Sequence, residues 1–287
     1  MPAAHLIDRA LVVLDGPDAE HFLQNILTTD LDMLKPGEAK PGALLTPQGK
    51  IMFDFLVSRT SAGAMRLECR ADVADDFIRR LMLYRLRAKV EIRKEDQALV
   101  AASWDSDSGS SENDSTFADM RFASEANVRR HYGELPQATA SLDDWTRLRI
   151  IHGVAESGTD YQLGDAFPHD VLLDQNGGVG LKKGCYIGQE VVSRMQHRGT
   201  ARRRVMIARG ASALPGPGAE ITANGRTIGA LGSMLGSDAI AIVRIDRVKD
   251  ALDAGNEISA GDVPLSLSIP SWATYTLPRD AAGAGEA

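Results

Sequence analysis

The residues best placed to do chemistry lie in one stretch, KKGCYIGQEVVSRMQHRGTARRR, Lys182 to Arg204. Cys185 is one of only two cysteines in the chain and stands between Gly184 and Gly188. GQEVVSRM reads as the start of a helix, so Cys185 precedes a helix N-terminus with Lys182 and Lys183 close by. A helix dipole and neighbouring ammonium groups both favour a thiolate. Glu190 and Arg194 are four apart and can pair on one helix face. The alternative is equally physical: free cysteine is among the most buried residue types, and the two glycines can serve turns alone. On these residues the two readings stay balanced. The stretch ends in His197, Arg198, Arg202, Arg203 and Arg204. With no aromatic residues interleaved to stack bases, this cluster suits a small polyanion better than a nucleic acid.

The other candidates are weaker. Cys69 falls on the apolar face of MRLEC and reads as a small core residue. His169 and Asp170, in FPHDVLLD, would point to opposite faces of an extended segment. The simpler role for Asp170 is a loop cap. No GxGxxG, Walker or GxSxG element occurs, so dinucleotide, ATP and serine-hydrolase chemistry have no support.

What must position these residues is an α+β scaffold. ALVVLDG reads as a buried strand, and PDAEHFLQNILTTDL as a helix with Phe22, Leu23, Ile26 and Leu27 on one stripe. Lys35–Gly42 reads as loop, and ALLTPQGKIMFDFLVS as a hairpin turning at TPQGK. A helix capped by Asp72 buries Val73, Phe77, Leu81 and Tyr84, then yields to a strand at Lys89–Ile92. Ser103–Thr116 is a polar surface loop, and a further helix starts near Asp143. Beyond Arg204 come short alternating runs separated by turns, with Asn224-Gly225 as a two-residue hairpin signal. They predict a small antiparallel barrel. The expected division is residues 1–200 as two interleaved α+β lobes (the second near 45–100), 201–279 as barrel, and 280–287 as a disordered tail.

Composition sets limits. A net charge of -7 over 287 residues argues against general nucleic-acid binding. Two cysteines 116 positions apart make neither a disulfide framework nor a four-ligand zinc site, and no metal site is expected. MPAAHLIDRALVVLDG lacks a signal-peptide pattern and no apolar run is long enough to span a bilayer. The expectation is a cytoplasmic protein with neither nucleic acid nor membrane as partner.

KGCYIGQEVVSR closely resembles the signature of the YgfZ family, folate-linked proteins of iron–sulfur cluster maturation related to the aminomethyltransferase GcvT. DAEHFLQNILTTDL, LLTPQGKIMFDF, YRLRAKVEI, RIIHGVAESGTDY and FPHDVLLD are similar to family segments in the same order. The resemblance implies a three-lobed GcvT-like architecture with a central tetrahydrofolate channel, Cys185 as functional thiol, and Lys183, Gly184, Tyr186, Gly188, Gln189, Glu190 and Arg194 supporting it. It also implies Asp170 at the pterin, Arg149 in the folate-domain helix, and Arg198 and Arg202 near the folate tail. Folate and iron–sulfur client or assembly proteins would be the partners. Where GcvT carries a catalytic Asn-Ala-x-Asn-x-x-Lys-Asp segment, this chain reads CRADVADD, ending in Asp76 without the asparagines and lysine. Aminomethyl transfer is therefore not expected. The alternatives are a GcvT-like one-carbon transferase and a folate-binding module without catalysis.

Overall fold

The computed structural model describes residues 1–96, 98–105, 115–199 and 201–278. The expected tail at 280–287 and most of the polar 103–116 loop lie outside the described residues.

The N-terminal part is built on one nine-stranded sheet. Its strands are β1 (Ala3–His5), β2 (Arg9–Asp15), β3 (Glu38–Leu45), β4 (Ile51–Arg59), β5 (Met65–Arg70), β6 (Glu91–Lys94), β7 (Val100–Ser103), β8 (Thr116–Asp119) and β9 (Arg129–Tyr132). Their spatial order is β1-β7-β9-β8-β3-β4-β5-β2-β6. Every pairing is antiparallel except β3 with β8, which joins the two halves. The helices are α1 (Ala19–Gln24), α2 (Ala74–Arg85), α3 (Leu142–His152) and α4 (Gln189–Arg198).

Period-two alternation decides what each face of the sheet meets. Val12, Leu14, Phe53, Phe55, Val57, Leu67 and Cys69 share a core with Phe22 and Leu23 of α1 and Phe77 and Leu81 of α2. Phe77 stacks on both Phe53 and Phe55, at 5.0 and 5.7 Å between ring centroids. Cys69 is fully buried here, and burial pushes its thiol up to about 12, so it is an inert filler.

The intervening positions carry charge. Arg9 of β2 holds Glu68 of β5 at 2.8 Å, and Glu68 also meets Arg130 of β9 at 3.5 Å. Arg130 meets Asp119 of β8 at 3.0 Å, and Arg121 meets Asp119 at 2.8 Å and Glu156 at 3.2 Å. Arg149 of α3 continues the chain to Glu156 at 3.3 Å and to Asp160 at 3.0 Å. Arg130, Glu68 and Asp119 are all buried. Burial alone would push the Glu156 carboxyl up, but Arg149, Arg121, Arg9 and Arg130 reverse this and hold it well below the usual carboxylate range. Asp119 is held low in the same way, with burial opposing and Arg121 and Arg130 prevailing.

The C-terminal part is a closed antiparallel barrel, as the alternating runs predict. Its strands are β10 (Arg203–Gly210), β11 (Glu220–Ala223), β12 (Arg226–Leu235), β13 (Asp238–Arg244), β14 (Ile258–Ala260) and β15 (Val263–Ser268), in the order β10-β13-β12-β11-β14-β15. Asn224 and Gly225 take φ of 48° and 70°, the left-handed pair that a tight hairpin requires. The barrel is tied to the charge network: Arg149 donates to the Ser233 hydroxyl at 2.8 Å, and Asp160 accepts from the Ser233 amide at 2.6 Å.

Local expectations fail where tertiary pairing overrides propensity. The first helix stops at Gln24 because the chain turns to pair with β3, the Thr28 amide donating to the Ala43 carbonyl at 2.9 Å. The supposed loop Lys35–Gly42 is half strand; Pro41 is tolerated in β3 because pairing with β8 involves only Glu38 and Ala39. Asp72 does not cap α2 but pairs with Arg70, and a 3-10 turn over Ala71–Val73 leads into the helix. FPHDV is not extended: Pro168–Val171 form a 3-10 turn closed by Leu172 at φ 62°. A fifth helix, α5 (Ile245–Asp253), adds to the elements the sequence signals; Ile245, Val248 and Ala251 are its buried stripe.

The charge network makes acid lability a direct expectation. Carboxyls with depressed folded-state pKa contribute stability that is complete above their unfolded values, 4.5 for Glu156 and 3.8 for Asp119, and lost as pH falls below them. Denaturant titrations between neutral and acid pH should show a steep loss below about pH 4.5. Glu156→Gln should cost about 1–3 kcal/mol at neutral pH, because Arg149 and Arg121 each lose one carboxylate partner and keep only Asp160 and Asp119, and it should flatten the acid limb. Wild-type stability in that variant at neutral pH would refute the coupling.

Candidate functional site

The loop carrying Cys185 is anchored from below. Lys183 is buried, and its ammonium donates to the carbonyls of Leu27 and Thr29, both at 2.8 Å, while lying 5.3 Å from the Tyr186 ring centroid. Burial draws its pKa down to about 8, against the pull of Asp30 and Asp32. Thr28 adds a second tie: its hydroxyl donates to the Gly178 carbonyl at 2.6 Å, and its carbonyl accepts from the Gly180 amide at 2.8 Å. The early exit from α1 therefore supplies the carbonyl ledge on which the motif rests.

A second anchor joins two turns. Gly188, at φ 78°, caps α4, and a Cβ there would stand 2.6 Å from the Thr46 carbonyl oxygen. Gly49, at φ 79° in the TPQGK turn, would place a Cβ 2.8 Å from the Val191 side chain. Glycine is required at both positions by conformation and by contact. Gly184 differs, since a Cβ there meets nothing within 4 Å.

Cys185 lies exposed on this braced turn, three residues before the cap of α4. The sequence suggests ammonium groups around it. The structure instead commits Lys183 to backbone carbonyls and leaves Lys182 exposed. Tyr186 is buried, its hydroxyl pushed up to about 12 by burial, and Val192 is buried in the core beneath α4. Gln189 is half-buried at the start of the helix. Glu190 and Arg194 form the exposed i,i+4 pair at 2.7 Å.

Two members of the basic run are taken up by acids of the same chain. Arg203 meets Asp165 at 3.2 Å and Asp170 at 3.9 Å, while Arg204 meets Asp174 at 2.6 Å and donates to the His169 carbonyl at 2.8 Å. Arg202 is exposed and lines a cleft of about 640 Å³ beside Arg244 and Arg247, but Asp246 and Asp250 line it too. Arg198 ends α4, and its side chain lies outside what is described. His169 is fully buried with Nε2 at 3.1 Å from the Gln196 side-chain oxygen, and burial lowers its pKa. Asp170 is buried, which raises its pKa, and accepts from the Phe167 amide at 3.1 Å.

Between the polar face of the sheet and the 153–176 segment lies a central cavity lined by Arg9, Asp54, Arg121, Tyr161, Asn176 and Trp272, among others. Neither Asp170 nor Arg149 lines it. Asp170 is turned into its own 3-10 turn, and Arg149 is held by Asp160 and Ser233. The cavity residues escape a reading of the sequence, though a signal exists: Arg9 opens the apolar run of β2, and Asp54 interrupts that of β4. Asp54 accepts from Ser157 at 2.6 Å and bonds to Tyr161. The cavity holds about 30 Å³, space for a water or two. Asp76, aligned by sequence with a catalytic aspartate, sits exposed on α2 and pairs with Arg79. Among the described residues no group of three or more His, Cys, Asp or Glu could hold a metal ion.

Residues 202–275 match the family described as CAF17, C-terminal beta-barrel domain. Over 92% of its length the chain is 29% identical to the mitochondrial iron-sulfur cluster assembly factor IBA57 of Homo sapiens, covering 83% of that protein. It is 30% identical to the IBA57 homolog of Chaetomium globosum over 71% of this chain and 55% of that one. Among solved structures, aminomethyltransferase T of the glycine cleavage system from Bartonella henselae superposes with a TM-score of 0.72 at 17% identity, covering 94% of this chain and 85% of that one. The relatives are named IBA57, not YgfZ as the motif suggests. They are also named as mitochondrial, which overturns the cytoplasmic location expected from composition. The chain has the aminomethyltransferase fold with a closed six-stranded barrel, and along most of its length it is similar to iron–sulfur cluster assembly factors.

Proposed function

We propose that this protein is an accessory factor of iron–sulfur cluster assembly that acts through the Cys185 thiol on a cluster shared with a partner. The observation that carries the reading is the exposure of Cys185 on a turn fixed by Lys183 below and by the Gly49–Gly188 contact beside it. An exposed thiol on a rigid base can meet a cluster presented by another protein without rearranging its own fold. The cluster is cargo. With no set of three ligating side chains among the described residues, Cys185 would supply one ligand and the partner or small thiols the others. In the exchange, the Cys185 proton goes to water or to the departing thiolate, the Cys185 sulfur bonds iron, and one previous thiolate leaves. No oxidation state changes.

Tetrahydrofolate has no step in this scheme, although the polar lining of the central cavity by Arg9, Asp54, Arg121, Tyr161 and Asn176 suits a pterin in kind. A one-carbon transferase reading draws on the fold alone, and Asp76 lies on the outer surface of α2, away from the cavity.

Two substitutions separate the thiol from its platform. Cys185→Ala should change folding stability by less than about 0.5 kcal/mol, because the side chain is exposed. In a strain lacking the native gene it should fail to restore 4Fe–4S enzyme activity, and the purified protein should lose a cluster formed jointly with a carrier, read by its visible absorption. Full restoration would sink the thiol role. Lys183→Met should instead cost about 2–3 kcal/mol, since two buried carbonyls lose a charged donor. Its defect should lessen at lower temperature, whereas that of Cys185→Ala should persist. An unchanged thermal midpoint in Lys183→Met would show that the anchor contributes nothing.

A further inference from the structure

The C-terminal end of α2 has no role in the proposed chemistry, yet its surface is unusual. Leu83 and Leu86 are 66% and 86% exposed, and Met82 beside them is 48% exposed. From Arg79 to Lys94 the sequence RRLMLYRLRAKVEIRK carries seven basic residues and one acidic residue, in a chain whose net charge is -7. Arg79 and Lys94 pair with Asp76 and Asp75. Arg87, Lys89 and Arg93 are exposed and form no ion pair among the described residues. The remaining nearby acids are Glu91 and Asp15, both exposed and opposite each other across β6 and β2, and Asp18, whose carboxylate accepts from the Lys89 amide at 2.7 Å.

The apolar tip is also held rigid. Leu86 sits at φ 47°, a strained value for a bulky residue. The turn is closed by the Ala88 amide on the Arg85 carbonyl at 2.8 Å and by the Arg85 guanidinium on the Val90 carbonyl at 3.2 Å. Its base is clamped at Gly16, where a Cβ would stand 2.4 Å from the Lys89 carbonyl oxygen. The chain thus sustains backbone strain at Leu86 while that side chain stays in water.

We propose that this cationic apolar knob docks the protein reversibly on an anionic lipid surface. Charge points to the occupant: Arg87, Lys89 and Arg93 stand exposed around the three apolar side chains, the arrangement that an anionic headgroup surface complements. A lipid surface requires no preformed groove. Projecting leucines can enter the headgroup boundary while basic side chains around them meet lipid phosphates. Such contact needs no spanning helix, and none of the described helices is long and apolar enough to be one. The proposal is independent of the role of Cys185.

The test is flotation of the full chain with vesicles of phosphatidylcholine alone or mixed with phosphatidylglycerol, at low and high salt. The expected result is binding to the anionic vesicles that falls about ten-fold or more in high salt or on neutral vesicles. The double variants L83S/L86S and R87E/K89E alter only exposed side chains and should each lose about ten-fold while keeping the wild-type circular dichroism spectrum. Absence of flotation with either lipid would overturn the proposal, as would equal binding to both or wild-type binding by L83S/L86S. Self-association abolished by L83S/L86S, without vesicle binding, would reassign the knob to a contact between copies.

Discussion

Eight charges, six of them buried and two half-buried, hold this molecule in register: four arginines, Arg9, Arg121, Arg130 and Arg149, against Glu68, Asp119, Glu156 and Asp160. Charges removed from water are tolerable only when paired, so each strand and loop that contributes one is fixed by the others. The network begins in β2 and β5, crosses to β8 and β9, passes through α3 and the 156–160 turn, and ends against Ser233 in the barrel. A purely apolar interface could slide at these junctions; a directional one cannot. The same groups wall the central cavity at Arg9 and Arg121. What keeps the parts together also keeps the middle of the molecule narrow.

The candidate site depends on that stiffness at one remove. The sheet holds β3 and β4, whose connecting turn meets the start of α4 through Gly49 and Gly188. The segment after α1, bonded to β3 through Thr28, offers its carbonyls to Lys183. Cys185 is thus exposed on a surface whose underside is braced by two separate parts of the chain. The residues around it divide into two sets. Lys183, Tyr186 and Gly188 build the platform, while Glu190 and Arg194 face solvent.

Much of this is legible in the residues, and the misses share a cause. Strand alternation in MFDFLV, the Asn224-Gly225 turn and the barrel's short runs are local signals, and local signals survive folding. The extent of α1, the strand through Pro41 and the turn at Pro168–Val171 are set by partners distant in sequence, which no window of residues contains. The arginine run after α4 shows the same limit. Composition counts its charges, but only the fold pairs Arg203 with Asp165 and Arg204 with Asp174. In sequence Cys185 is balanced between buried filler and accessible thiol, and its exposure follows from where the platform ends. The charged residues inside β2, β4 and β5 are visible in the sequence, but only the fold turns Arg9 and Asp54 into the polar wall of a cavity.

The contrast between the two cysteines has a redox consequence. Cys69 is sealed in the core with its thiol pushed up to about 12, leaving Cys185 as the sole accessible sulfhydryl. An oxidised Cys185 has no resolving partner within its own chain. A sulfenic acid formed there must be resolved by a small thiol or by a cysteine of another molecule, or proceed to irreversible products. The redox state of this surface is therefore set by the thiols around the protein and not by the protein itself.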